Sequence, residues 1–383
     1  MSHNKKTESV VIVGGGSAGW LTAAVLSASL RRRGLDHVRV TLVESPSIGT
    51  IGVGEGTWPS MRATLQTIGI SETDFIRKCD AAFKQGTCFV DWRNEAEGDS
   101  FLHPFTLPLN YHERNPVQDW IAAARGARFS DAVSPQGRLA PQGFAPKSIT
   151  TPEYAYYLNY GYHLNAGKFA ELLRQHCLDT LGVEHWQDDV VAVHADTAGD
   201  ITGLALGGGE RLAGDFFIDC SGMHGLLVAG HYGVPLCACG DVLFNDSALA
   251  VQVPDGDPAG PVASCTISTA RESGWIWDIG LSNRRGVGYV YSSAHSDDER
   301  AEAVVRDYLA SFSAGHSGAA PEPRKISFTP GYRQPALSSP SRRRHWCWWK
   351  WLRNGSPRTF PLNAVRWAPP VVASISAFVS TGR

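Results

Sequence analysis

The sequence predicts an α/β fold: a Rossmann-like dinucleotide-binding unit with a second layer inserted over it. Three observations carry that prediction. A strand, a glycine turn, a helix and a strand ending in an acid follow one another over residues 9–44; another apolar strand runs into glycines near residue 220; and residues 95–165 lose any steady period while gaining aromatic clusters. Ser9–Val13 (SVVIV) is a short β-branched run bounded by Gly14-Gly15-Gly16, which reads as a buried parallel strand. The apolar stretch that follows, WLTAAVLSASLRRRG, closes on a basic turn and Gly34, as a helix does. Residues 38–44 (VRVTLVE) form the second strand and end at Glu44.

Gly14, Gly16 and Gly19 stand in the spacing G-x-G-x-x-G, with Ser17 and Ala18 opening the helix. Between a strand and a helix, that spacing allows a tight turn, close approach of a pyrophosphate to the backbone and close helix packing. The free N–H groups at the helix start bind the anion. Glu44, at the tip of the second strand, is placed to accept from a ribose hydroxyl. The segment AGDFFIDCSGMHGLL, residues 213–227, brings Asp219 and then Gly222 to the end of a strand, where α/β folds put ligands. Residues 95–165, with FLHPFTLPLNY and YAYYLNYGYH, are read as the inserted layer, either aromatic core or one wall of a pocket for a flat apolar substrate.

Composition narrows the classes. At 383 residues the chain is long enough for two subdomains, and its 43% apolar and 19% charged residues with a net charge of −2 are those of a globular protein. That charge points to neither nucleic acid nor membrane. No apolar run approaches the roughly 20 residues needed to span a bilayer, and MSHNKKTES carries no apolar stretch of a signal peptide, so the cytoplasm is expected. Eight cysteines at irregular spacing read as reduced, mostly buried thiols, and no metal site is expected.

From Gly52 onward the chain resembles the flavin-dependent tryptophan halogenases. The landmarks come in the family's order: GGGSAGW at the glycine turn, GVGEGTWPSMR with Gly54 and Glu55, Lys84 within CDAAFKQGTCFVDW, FIDCSGMHGLL, and Trp275-Ile276-Trp277 within SGWIWDIGLSNRRGVGYVYSS. The resemblance implies an FAD-binding, flavin monooxygenase-like fold whose second layer carries the substrate. It implies that reduced FAD from a separate reductase, O2 and a halide ion yield hypohalous acid, which passes through a tunnel to an electron-rich, tryptophan or indole-like ring. Lys84 would hold that small electrophile beside one ring carbon, a task that suits an ammonium donor or a desolvated amine. Trp275 and Trp277, two residues apart on one strand face, would keep organic substrate from the flavin. The family's motif usually closes on proline, where this chain has Gly280. A homodimer is left open.

The last 49 residues are a different material. Residues 1–334 carry 27 basic and 37 acidic side chains; residues 335–383 carry eight basic, no acidic and five tryptophans. The family resemblance also implies a glutamate after residue 330, within a phenylalanine, aliphatic, glutamate, proline, leucine string, working opposite the lysine. Here KISFTPGYRQ follows the family to Gln334 and the string is missing. Because tryptophan has one codon, His345–Lys350 read from the third base of each codon must give Leu-Val-Leu-Val-Glu and then Met or Val. In that frame residues 335–341 permit Gly-Phe-Val-Glu-Pro-Leu-Ala. The expectation is therefore an FAD-binding halogenase domain over 1–334 and an out-of-frame, not natively folded tail over 335–383, with weak or absent halogenation. The alternatives are a flavin monooxygenase that oxygenates its substrate directly, and a non-catalytic FAD-binding remnant whose basic aromatic tail binds membrane or nucleic acid.

Overall fold

Four parallel strands form the centre of the nucleotide unit. The computed structural model describes residues 7–49, 55–93, 98–123, 126–254, 260–311, 321–333 and 345–347. Ser9–Val13 lies between Arg39–Glu44 and Phe216–Asp219, and Glu184–Gln187 extends the sheet beyond Arg39–Glu44. The short strand His345–Cys347 adds to the other edge, parallel to Phe216–Asp219. All five residues of Ser9–Val13 are buried, because both faces of the sheet are covered.

The two faces sort the β-branched run by alternation. Val10 and Ile12 pack with Trp20, Leu26 and Leu30 of the helix Ser17–Arg32 and with Leu173 and Cys177 of the helix Ala166–Asp179. Val11, Val13 and Phe217 pack against Ile201, Leu204 and Leu212 of a three-stranded antiparallel sheet formed by Val190–Ala195, Ile201–Leu206 and Arg211–Ala213. The predicted α/β class and the predicted first three elements are those of the structure.

The second layer is a seven-stranded sheet in the order Arg324–Ser327, Ser247–Pro254, Arg284–Tyr291, Gly274–Gly280, Thr266–Arg271, Gly86–Val90, Ser100–Pro104. Only Thr266–Arg271 and Gly86–Val90 run parallel. The helix Asp298–Ala310 covers one face, burying Ala301, Val305 and Leu309 against Ile276, Val287 and Tyr289. The sequence reading placed the inserted layer at 95–165. The sheet is in fact assembled from two separated pieces, 86–104 and 247–327, with the short helices of 116–142 beside it. The second piece alternates apolar and polar residues weakly, since both its faces are partly covered, so it carries no clean strand signature.

A small antiparallel sheet links the two layers: Gly161–Leu164 lies between Glu55–Gly56 and Ala82–Lys84. Its central strand is wholly buried. Beneath it, the Glu72 carboxylate accepts hydrogen bonds from Tyr160 Oη at 2.5 Å, Tyr162 Oη at 2.6 Å, Tyr154 N at 2.7 Å and Lys147 Nζ at 2.7 Å. Burial alone would raise the Glu72 pKa, but those donors together bring it below the usual carboxylate range.

Candidate functional site

At the end of Ser9–Val13 the chain turns through Gly14, whose φ of +109° is open to glycine and strained for other residues. A Cβ there would meet the Cys220 carbonyl oxygen at 2.3 Å, and a Cβ on Gly19 would meet the Gly14 carbonyl oxygen at 1.8 Å. Backbone thus packs on backbone at both positions. Gly16 differs, because nothing lies within 4 Å of an added Cβ. It opens on free space at the start of the Ser17–Arg32 helix, which has no side-chain cap and no acid in its first turn. The leading N–H groups and the positive end of the helix dipole therefore face a position that suits an anion. Ser17 Oγ is turned to the Ala166 carbonyl at 3.4 Å, tying the turn to the neighbouring helix.

Glu44 reaches the same turn. Its Oε2 stands where a Gly15 side chain would begin, and its Oε1 meets His185 Nε2 at 2.8 Å. His185 in turn packs edge-on against Trp20 at 5.0 Å. Asp219 is brought to the turn but faces inward. Its carboxylate accepts from Ser221 N at 3.0 Å, Leu227 N at 2.8 Å and Val228 N at 2.9 Å, and it is 3% exposed. Direct contact with a cofactor was the expectation; the geometry gives Asp219 the task of fixing the Gly222 turn, where φ is +70°. Gly54 lies outside the described residues. Glu55 pairs with Leu164, and burial raises its pKa.

Lys84 ends the strand Ala82–Lys84, opposite Gly161. Its Nζ lies 5.7 Å from the centre of the Phe105 ring, which packs on Trp58 at 5.5 Å. The amine also rests against the Gly56 α-carbon, where a Cβ would come within 2.7 Å of Nζ and 3.4 Å of His163 Cδ2. Among the described residues no carboxylate pairs with it. Burial draws the Lys84 pKa from 10.5 down to about 8, with the Cys265 thiol acting weakly the other way. His103 is lowered by burial and by the Lys84 charge, and His163, fully buried, falls to about 3 for the same two reasons.

Trp275 and Trp277 lie on one face of the seven-stranded sheet, their rings 6.3 Å apart and inclined at 63°. Trp277 lies over Gly288, where a Cβ would meet the indole at 2.1 Å. Register puts Ser268 beside Trp277 and Phe89 beside Ser268, and Phe89 stacks on Phe101 at 5.1 Å. Thr266 shares this face and hydrogen-bonds His163 Nε2 at 2.8 Å, so the lysine and the tryptophans stand on the same side of the sheet, away from helix Asp298–Ala310.

Residues 9–346 match the family described as tryptophan halogenase. The chain belongs to the tryptophan halogenase family. It is 35% identical over 325 residues to tryptophan 7-halogenase RebH of Lentzea aerocolonigenes, covering 79% of this chain and 58% of that protein. It is also 35% identical to tryptophan 6-halogenase ThaL of Streptomyces albogriseolus, with 78% and 58% covered. Among solved structures, a tryptophan halogenase from Shewanella frigidimarina superimposes with a TM-score of 0.83 at 46% identity, over 90% of this chain and 66% of that one. BrvH, a flavin-dependent halogenase from Brevundimonas, superimposes at 0.74 and 30% identity, over 98% and 76%. The chain therefore spans less than two thirds of the length of the halogenases RebH and ThaL.

Within this halogenase family member the sequence reading left out His163, His103, Phe105, Trp58 and His185. His163 sits in GYHL, whose four residues are all buried, and a polar residue in such a strand is the signal that was available. Of the seven described cysteines, Cys79, Cys177, Cys220 and Cys265 are buried, and Cys88, Cys237 and Cys239 are partly buried. Among the described residues no metal-binding group of three ligands occurs, and no helix is long and apolar enough to cross a membrane.

Proposed function

We propose that this chain carries flavin-dependent halogenation chemistry on an electron-rich aromatic ring of the tryptophan or indole kind. The observation that carries the proposal is Lys84: a partly buried amine with no carboxylate partner among the described residues, beside Phe105 and Trp58 and on the tryptophan-bearing side of the sheet. A surface lysine would be solvated; this one is desolvated and aimed at aromatic walls. FAD fits the glycine turn, because Gly16 leaves the space a pyrophosphate needs, the helix start supplies uncapped N–H donors, and Glu44 supplies an acceptor. Gly14, Gly16, Ser17, Ala18, Gly19 and Glu44 would hold it, and Gly222 and Glu55 line the approach. Bound and reduced, the flavin supplies the electrons that activate O2 towards halide.

The chain's own residues do the rest. The Lys84 amine hydrogen-bonds hypohalous acid and holds it beside one ring carbon; orientation of this kind is worth several kcal/mol. Phe105 and Trp58 offer apolar faces against which a flat ring lies. Trp275 and Trp277 keep bulky substrate from the flavin side. The reading requires a separate reductase to deliver reduced FAD. The partner carboxylate that the family resemblance implies has no counterpart in this sequence, because residues 335–383 contain no acid. The test is product identity: with FAD, a reductase, bromide and indole, a brominated ring supports the reading. A hydroxylated ring formed without halide and with NAD(P)H oxidised by this chain alone supports direct oxygenation instead.

A further inference from the structure

We propose that His163 is a positioning residue for Lys84, walling the lysine amine against Gly56 and keeping water from it by a hydrogen bond to Thr266 across two sheets. Three features of the geometry support this. His163 pairs in register with both Ala82 and Gly56, and Lys84 pairs with Gly161 two residues earlier on the same strand, so the imidazole and the lysine side chain project from one face of the linking sheet. Nζ and His163 Cδ2 crowd the same α-carbon, so only a residue without a Cβ at position 56 leaves both in place. And the ring is anchored: Nε2 meets Thr266 Oγ1 at 2.8 Å, with the Gly280 backbone alongside.

The chemistry follows from the groups gathered around one amine. Of the titratable groups that face Lys84, His163 comes from the central strand of the linking sheet, His103 from Ser100–Pro104 and Cys265 from the turn into Thr266–Arg271. Burial and the lysine charge lower the pKa of both imidazoles, and burial raises that of the Cys265 thiol. Among these described groups Lys84 is the one whose ordinary charged form is a cation at neutral pH. A neutral ring that fills space and cannot accept a second charge keeps the amine desolvated, hence more readily deprotonated, without adding a competitor for the electrophile.

The test reads Lys84 itself and needs no turnover. The inference gives Lys84 the role proposed above, but if the full 383-residue chain shows no halogenation, the titration still answers. The midpoint of Lys84 is measured by pH-dependent labelling with an amine-reactive reagent, quantified by mass spectrometry of its peptide. The parent should label with a midpoint near 8. His163→Ala should raise that midpoint by about one pH unit or more as water enters, and His163→Gln, which keeps an amide donor and most of the volume, should restore it. Thr266→Val, nearly isosteric, should raise it in the same direction, and serves alone if His163→Ala does not fold. An unmoved midpoint in a folded His163→Ala or in Thr266→Val overturns the proposal. Under turnover, the same variants should lower kcat more than they change KM; a change in KM alone would count against the role.

Discussion

Replacing Gly16 by alanine separates cofactor space from folding. The backbone at Gly16 has φ −71° and ψ −179°, which alanine adopts without strain. Fewer unfolded conformations then favour the folded state by about 0.4–1 kcal/mol. Against this, alanine is a poorer helix N-cap than glycine, by roughly 1 kcal/mol. The two effects nearly cancel, and since no atom lies within 4 Å of the new Cβ, thermal unfolding should shift by less than about 4 °C. The methyl instead enters the space assigned to the pyrophosphate. Overpacking of this kind costs about 1–3 kcal/mol, a loss of roughly 5- to 150-fold in FAD affinity. Gly19→Ala is the opposite case: its Cβ would lie 1.8 Å from the Gly14 carbonyl oxygen, so helix and strand must part and stability should fall by about 3 kcal/mol or more. Melting curves with calorimetric FAD titration read both effects. A Gly16→Ala protein that melts and binds FAD like the parent refutes the assignment of that space.

Other perturbations probe the lysine and its support. Lys84→Met should leave FAD affinity within about two-fold and reduce halogenation by about 100-fold or more, since it removes the group that orients the electrophile; product assays beside flavin titration separate the two. The same variant carries a pH signature. The folded pKa of Lys84 lies below its unfolded value, so the unfolded chain holds more protons between about 8 and 10.5, and this lysine makes the parent gain stability as pH rises through that window. The Lys84→Met protein should therefore be most stabilised relative to the parent below pH 8, with the difference shrinking towards pH 10.5; a difference flat with pH counts against a desolvated amine. Glu72→Gln leaves the Lys147 ammonium in a nearly buried site without its charge partner, and should cost about 3 kcal/mol in chemical unfolding. Because the Glu72 pKa is lowered in the folded protein, its stabilisation is present above the ordinary carboxylate range and is lost as pH falls through its folded value. The acid limb of the parent's stability curve should flatten in the variant.

The nucleotide unit was legible because its signals are local. A β-branched run, three glycines at fixed offsets and an acid at a strand tip each carry a backbone reason that survives without knowledge of the rest. The second layer was less legible because its strands come from 86–104 and 247–327, and pairing over such separations leaves no trace in a window of ten residues. Glu44 shows the limit at a single residue. Its place at the strand end followed from the pattern, while its hydrogen bond to His185 depends on a residue 141 positions later. The position of Asp219 at a strand end was readable from the pattern, while the use of its carboxylate by Leu227 N and Val228 N depends on how the chain continues beyond the turn. Lys84 came from the family resemblance, and its desolvation by Phe105, Gly56 and His163 is a property of three chain segments that meet only in the fold.

The most direct test of the central claim is the mass of the product formed when the 383-residue chain, FAD, a flavin reductase, NADH, bromide and indole are combined, with Lys84→Met as the control. The account predicts singly brominated indole, formed slowly because the glutamate string is missing, that requires the reductase and bromide and disappears with Lys84→Met. Bromine-free oxygenated indole, or bromination that persists at the same rate in Lys84→Met, would contradict it.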